Sequence, residues 1–284
     1  MTPIPVSKSP MRPITLGLAM LFLYGPILIL MIYSFNSSRL VTVWAGFSTE
    51  WYGKLFQDAL MMNGIKLSLL IALAAATAAV VIGTVAAFVL TRIGRFRGES
   101  PFAFMITAPL VMPEVITGLS LLLLFIAMAQ SLGWPTQRGF LTIWVAHTTF
   151  CSAYVAVVVS ARLRELDASI EEAAQDLGAT PFKVFFLITL PSIMPAVAAG
   201  WLLAFTLSLD DLVIASFVSG PSASTLPMVV FSSVRLGVSP KINALATLII
   251  LTVATAAFIG WWFMARQEKR RQQELAEAAR SYQS

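Results

Sequence analysis

The sequence predicts an all-α membrane protein that crosses the bilayer six times. Three observations predict it. Hydrophobic residues make up 58% of the 284 residues, charged residues only 12%, and mean hydropathy is +0.82. A soluble domain carries roughly twice that charge fraction, so lipid is the solvent this surface suits. Six apolar runs are each long enough to cross a hydrocarbon core of ~30 Å at ~1.5 Å per residue. The Lys and Arg residues fall mainly between the runs, so the net charge of +5 marks membrane-flanking loops rather than a nucleic-acid surface.

The first run, Ile14–Ser34, reads as an uncleaved helix. A signal peptide competes for it, but a short core and a small-residue cleavage site are not evident. The second, Gly64–Leu90, is rich in Ala, Gly and Thr, residues that let helices approach closely in lipid. The third, Phe102–Ser131, is interrupted by Pro109 and Pro113. The fourth is Phe140–Ala161, the fifth runs from about Pro191 to Val218, and the sixth is Ile242–Ala265. The whole chain, 1–284, reads as one transmembrane domain with a long loop at 162–190. With the N-terminus inside, most of the 19 basic residues are cytosolic, among them Arg92, Arg95, Arg97, Arg162, Arg164, Arg270 and Arg271. Arg39, Lys54, Lys66, Arg138, Arg235 and Lys241 lie outside. Both termini are therefore expected in the cytosol. The charged tail from Gln267 reads as solvated, with a short helical extension as the alternative. Trp44, Trp51, Tyr52 and Phe56, in the external segment, read as headgroup-level anchors. Cys151 stands alone, so no intrachain disulfide forms, and it reads as a small packed residue. His147 has no companions at ligand spacing, which makes it weak support for a metal.

The loop 162–190 is polar yet strongly patterned. Ser169 and Glu172 fit a capping box that starts a helix. Ile170, Ala173, Ala174 and Leu177 follow at helical spacing as one apolar stripe. Gly178 suits the left-handed residue that ends a helix. Thr180 and Pro181 then open a second one. A short amphipathic helix presented this way fits a partner's groove. A helix lying on the membrane explains the stripe but not the two caps and the turn.

Glu172-Ala173-Ala174, Gly178 and, nine residues on, Ile188-Thr189-Leu190-Pro191 resemble the EAA loop of ABC importer permeases at every specified position. Ser34–Ser38, Phe47–Tyr52, Phe205–Asp211 and Asn243–Thr247 are similar to the polyamine branch of that family. The resemblance implies a type I importer permease fold and makes the loop a coupling helix, with Glu172, Ala173, Ala174, Asp176, Leu177 and Gly178 at its surface. It also implies a second permease, two ATP-binding subunits holding ATP and Mg, and an external polyamine-binding protein. The implied substrate is a polyamine, putrescine first, with spermidine or another small cation left open. Glu114 departs from relatives that carry Asp after the proline.

Within the chain itself there is no G-x-x-x-x-G-K-[ST] loop, no metal-ligand cluster and no nucleophilic triad, so it reads as a transport subunit without cofactor rather than an enzyme. The informative residues are the intramembrane acids Glu114, Asp210 and Asp211. A carboxylate at mid-membrane costs ~2.5–3.5 kcal/mol on insertion scales and normally faces a cavity or partner. No Lys or Arg shares their runs to neutralise them. Asp210 stands ~28 Å of helix beyond Pro191, and Glu114 ~18 Å beyond Phe102. Adjacent residues point ~100° apart on a helix, so only one of Asp210 and Asp211 faces a path, and the other supports it or meets a partner. Trp51 is a further candidate, because an indole face attracts an ammonium. A secondary transporter with broken helices fits Pro113 but not the patterned loop.

Overall fold

The computed structural model describes residues 11–40, 43–94, 96–221, 223–237 and 239–281. Among them the regular secondary structure is helical, with one isolated bridge between Asn36 and Phe47. The helices are α1 (Met11–Tyr33), α2 (Glu50–Phe56), α3 (Ala59–Arg92), α4 (Glu99–Val111), α5 (Glu114–Leu132) and α6 (Phe140–Glu165). They are followed by α7 (Ser169–Asp176), α8 (Pro181–Val184), a π-helical turn (Phe185–Thr189), α9 (Leu190–Asp210), α10 (Val213–Val218), α11 (Leu226–Leu236) and α12 (Pro240–Ser281). Among the described residues six stretches are long and apolar enough to cross a membrane: 13–33, 59–92, 114–132, 140–165, 181–210 and 240–262.

Three boundaries differ from the sequence reading. The third run is two helices, not one interrupted span. Pro113 has no N–H and pushes Met112 to an extended conformation (ψ 135°), so α4 ends there and α5 alone is long enough to span. The fifth helix begins ten residues before Pro191. It starts at Pro181, absorbs an extra residue through the π turn, and stops at Asp210, so that Val213–Val218 is a separate short helix. The sixth helix runs on to Ser281, so the tail from Gln267 forms the helical extension.

By contacts the chain gathers into two compact units, 1–58 with 233–284, and 59–232. In the first unit α12 packs with α1 and α2. Trp51 and Leu55 of α2 are buried, so Trp51 is an interior residue rather than a headgroup anchor. The second unit is built on α3, α6 and α9, which pack on one another. Its centre is set by small residues. A Cβ at Gly83 of α3 would stand 2.7 Å from Val155 Cβ of α6, and one at Gly200 of α9 would stand 3.4 Å from Val155 Cγ1. Val155 thus fills the space two glycines leave, the close approach that holds helices together where lipid supplies no hydrophobic drive. α6 is the most buried of the six candidate spans, and Cys151 is packed within it.

Candidate functional site

The break between α9 and α10 gives two adjacent acids opposite surroundings. Asp211 is buried. Its Oδ1 accepts from the Ile214 N–H at 3.3 Å and its Oδ2 from the Ala215 N–H at 2.8 Å, so it caps α10. His147 Nε2 of α6 stands 3.1 Å from Asp211 Oδ2, and His147 Nδ1 shares a 2.7 Å hydrogen bond with Ser208 Oγ of α9. His147, Ser208 and Asp211 are all buried. At the far end of α10, Thr142 Oγ1 donates to the Val218 carbonyl at 2.7 Å and Arg138 Nη1 to the Phe217 carbonyl at 3.2 Å. Side chains therefore satisfy both ends of a short helix, as backbone at membrane depth requires.

Asp210, one residue earlier, is exposed on the surface of the unit. It takes no part in any of the ion pairs among the described residues. It is the last residue of α9, where the helix dipole places partial negative charge and leaves carbonyls unpaired. Carboxylate and carbonyl ends together make an electronegative spot suited to a cation, the arrangement that broken membrane helices use. His147 is the partner that sequence reasoning missed. The signal was a lone imidazole in an apolar run, in a chain whose intramembrane acids had no Lys or Arg to meet.

Glu114 is also exposed and is the first residue of α5. One turn on, a Cβ at Gly118 would lie 3.3 Å from the Ile214 Cα of α10 and 2.8 Å from the Phe217 ring. That contact sets α5 against α10, the helix that follows the break after Asp210. Glu114, Asp210 and Asp211 therefore stand at two chain breaks of one unit. Trp51 belongs to the other unit and has its own tasks. Its Nε1 donates to the Asn36 carbonyl at 2.7 Å, and the Lys54 ammonium sits 4.5 Å above its ring. A cavity of about 400 Å³ beside it is lined by Arg39 and Lys54 with Ser239 and Pro240. Lys54 is paired with Glu50, and the Arg39 guanidinium repels an approaching ammonium.

The loop 162–190 forms the helix, turn and helix its pattern calls for, with one change at the first cap. Ser169 and Glu172 make no capping box. Asp167 Oδ1 accepts from the Ser169 N–H at 3.0 Å instead, because Ala168 is already helical at the cap position. The backbone N–H of Ser169, then its hydroxyl, hold the Asp167 carboxyl below the usual carboxylate range. At the other end Gly178 has φ +88°. Its N–H donates to the Gln175 carbonyl at 2.8 Å and that of Ala179 to the Ala174 carbonyl at 3.0 Å, the two bonds of a Schellman turn. Thr180 caps α8, with Pro181 in its first turn. Glu172, Ala173, Asp176, Leu177 and Gly178 are exposed and Ala174 is half-buried. Leu177 is 89% exposed and Ile170 56%, as is Phe182 of α8 at 76%, so most of the apolar stripe is uncovered among the described residues.

Residues 79–273 match the family described as binding-protein-dependent transport system inner membrane component. The chain belongs to this family. A curated relative is the putrescine transport system permease protein PotI of Escherichia coli (strain K12), 68% identical over 99% of this chain and 100% of the relative. The spermidine/putrescine transport system permease protein PotC of the same strain is 42% identical over 88% of this chain and 91% of its own length. Among solved structures, a bacterial ABC transporter involved in import of the acidic polysaccharide alginate superposes with TM-score 0.67 at 17% identity, covering 88% of this chain and 92% of that one. An amino acid ABC transporter superposes with TM-score 0.51 at 20% identity over 75% of this chain. The fold is thus that of ABC importer permeases, and the chain is a multi-pass membrane protein of this inner-membrane transport family, a transport subunit rather than an enzyme.

Proposed function

We propose that the chain, as one transmembrane domain over 1–284, is the permease subunit that carries putrescine inward in an ATP-driven importer. The kinship with a putrescine permease along the whole length supports the substrate class. The single observation that carries the mechanism is the division of labour at the α9–α10 break. Asp211 is consumed as a cap and as the partner of His147, while Asp210 is exposed at the carbonyl end of a broken helix. A diammonium chain crossing the membrane must exchange its hydration for acceptors, and carboxylates are strong ones. Asp210 takes one ammonium and Glu114 the other, or each receives it in turn. Two separated acids bind weakly enough to release, which conduction requires. Asp211 serves by shaping the break and Trp51 by fixing the external segment.

In this reading both termini are cytosolic. The exposed stripe of α7, with Glu172, Ala173, Ala174, Asp176, Leu177 and Gly178, seats in a groove of an ATP-binding subunit that holds the ATP and Mg. A second permease completes the pathway, and an external binding protein delivers the polyamine. The test is uptake by the assembled importer carrying Asp210→Asn or Glu114→Gln, near-isosteric changes that remove charge. Each is expected to lower putrescine uptake about tenfold or more per assembled complex, one lost charge-assisted contact being worth at least ~1.4 kcal/mol. Wild-type uptake by both variants would falsify the assignment. Faster uptake of spermidine than putrescine by the unmodified complex would move the substrate to the longer amine.

A further inference from the structure

Beside the exposed Glu172 stands a second acid with the opposite orientation. Glu171 is turned inward, its side chain 14% exposed. Its Oε2 lies 3.0 Å from Arg92 Nε, at the last residue of α3, where the Arg92 side chain is 13% exposed. Its Oε1 accepts from Thr189 Oγ1 at 2.9 Å, and Thr189 is buried within the π turn that leads into α9. Arg92 Nη2 in turn donates to the carbonyl of Leu166, the residue that ends α6, at 3.2 Å. One carboxylate therefore joins α7 to the ends of three membrane helices. Neither Glu171 nor Thr189 occupies a specified position of the EAA pattern.

We infer that Glu171 is a positioning residue that transmits displacement of α7 to α3 and α9. The inference rests on the proposed seating of α7 on an ATP-hydrolysing partner. α7 has eight residues and none of them is buried. A helix so short has no rigidity of its own against its neighbours. It is flanked by two places that bend, the extended Leu166 and the left-handed Gly178. A push on α7 would be absorbed at those two turns unless a stiff link bypassed them. A water-poor contact with both carboxylate oxygens engaged, one by the Arg92 guanidinium as an ion pair and one by the Thr189 hydroxyl as a hydrogen bond, is such a link, because the carboxylate cannot move without straining both. The π turn is the place where α8 and α9 are locally underwound, so Thr189 attaches the link where the helix yields most readily.

The experiment uses the full importer, with both permeases, the ATP-binding subunits and putrescine-loaded binding protein. Three quantities are read per assembled complex: co-purification of the ATP-binding subunit, stimulation of ATP hydrolysis by the loaded binding protein, and putrescine uptake. Glu171→Gln is expected to retain the ATP-binding subunit yet lose about tenfold or more of the stimulation, within the range of coupling between distant sites. Thr189→Val removes one of the two contacts and is expected to lower stimulation in the same direction by less. Arg92→Gln combined with Glu171→Gln is expected to fall short of the sum of the single losses, as paired residues do. Glu165→Gln, an exposed acid paired only with Arg162 of its own helix, is expected to behave as wild type. Wild-type stimulation in both Glu171→Gln and Thr189→Val overturns the inference, and Thr189→Val decides alone if Glu171→Gln does not assemble. Loss of the ATP-binding subunit from both variants also overturns it, since Glu171 would then shape the docking surface. Failure of the unmodified permease to retain an ATP-binding subunit overturns instead the reading on which it rests.

Discussion

Asp210 and Asp211 are one peptide bond apart, and the structure separates what their removal does. In Asp211→Ala the α10 N-terminus loses its cap, a change that costs ~1–2 kcal/mol. His147 Nε2, buried 3.1 Å from the missing oxygen, also loses the carboxylate it faces, a further ~1–3 kcal/mol. Together they destabilise the subunit by about 2–5 kcal/mol, which lowers the ratio of folded to unfolded protein by about 30-fold or more. Asp210→Asn removes an exposed charge that joins none of the ion pairs among the described residues, so stability should stay within ~0.5 kcal/mol of wild type. Thermal unfolding of the purified complex, paired with uptake normalised to assembled complex, measures both effects. Asp211→Ala is expected to unfold at lower temperature and accumulate poorly. Asp210→Asn is expected to unfold normally and transport poorly. An Asp211→Ala complex that unfolds like wild type but has lost uptake would refute the division, because the buried acid would then be the one that meets the substrate.

Three further outcomes follow from other parts of the chain. Gly178→Val forces a β-branched residue to φ +88° and should abolish the Schellman turn, lowering substrate-stimulated ATP hydrolysis of the assembled importer; normal coupling in a well-assembled variant removes this turn from the mechanism. With Cys151→Ala as background, a cysteine at Gln175 should react with membrane-impermeant thiol reagent only from the cytosol and one at Gln137 only from outside, and the reverse pattern overturns the orientation. Gly83→Ala places a methyl 2.7 Å from Val155 Cβ and should cost ~1–3 kcal/mol, read as a lower unfolding temperature; no change would mean that α3 and α6 are not in close contact there.

Composition alone decided the solvent of this protein, because six long apolar runs leave no soluble way to cover their surface. The pattern of the loop 162–190 likewise decided its helix, turn and helix, since caps and a left-handed glycine act through neighbours a few residues away. Local chemistry also favoured the break at Pro113, where a missing N–H and a restricted preceding residue disfavour helix, although Pro109 inside α4 and Pro195 inside α9 are carried without a break. The break after Asp210 was not legible in the same way. No proline or glycine stands there, and the helix ends because Asp211 finds better partners in the Ile214 and Ala215 N–H groups and in His147, a residue 64 positions away by number. Which of two adjacent acids is exposed and which is spent depends on what α6 brings to them, and sequence spacing carries no record of that. The same holds for Glu171 and Glu172. The sequence pattern singled out Glu172 alone, and only the packing of α3 and α9 around the loop turns Glu171 inward to Arg92 and Thr189 and leaves Glu172 exposed. The sequence by itself therefore determined the elements and the membrane they cross, through interactions that are local or averaged over composition. Tertiary structure decided the roles of individual charges, because a buried charge takes its meaning from partners that come together only when distant helices pack.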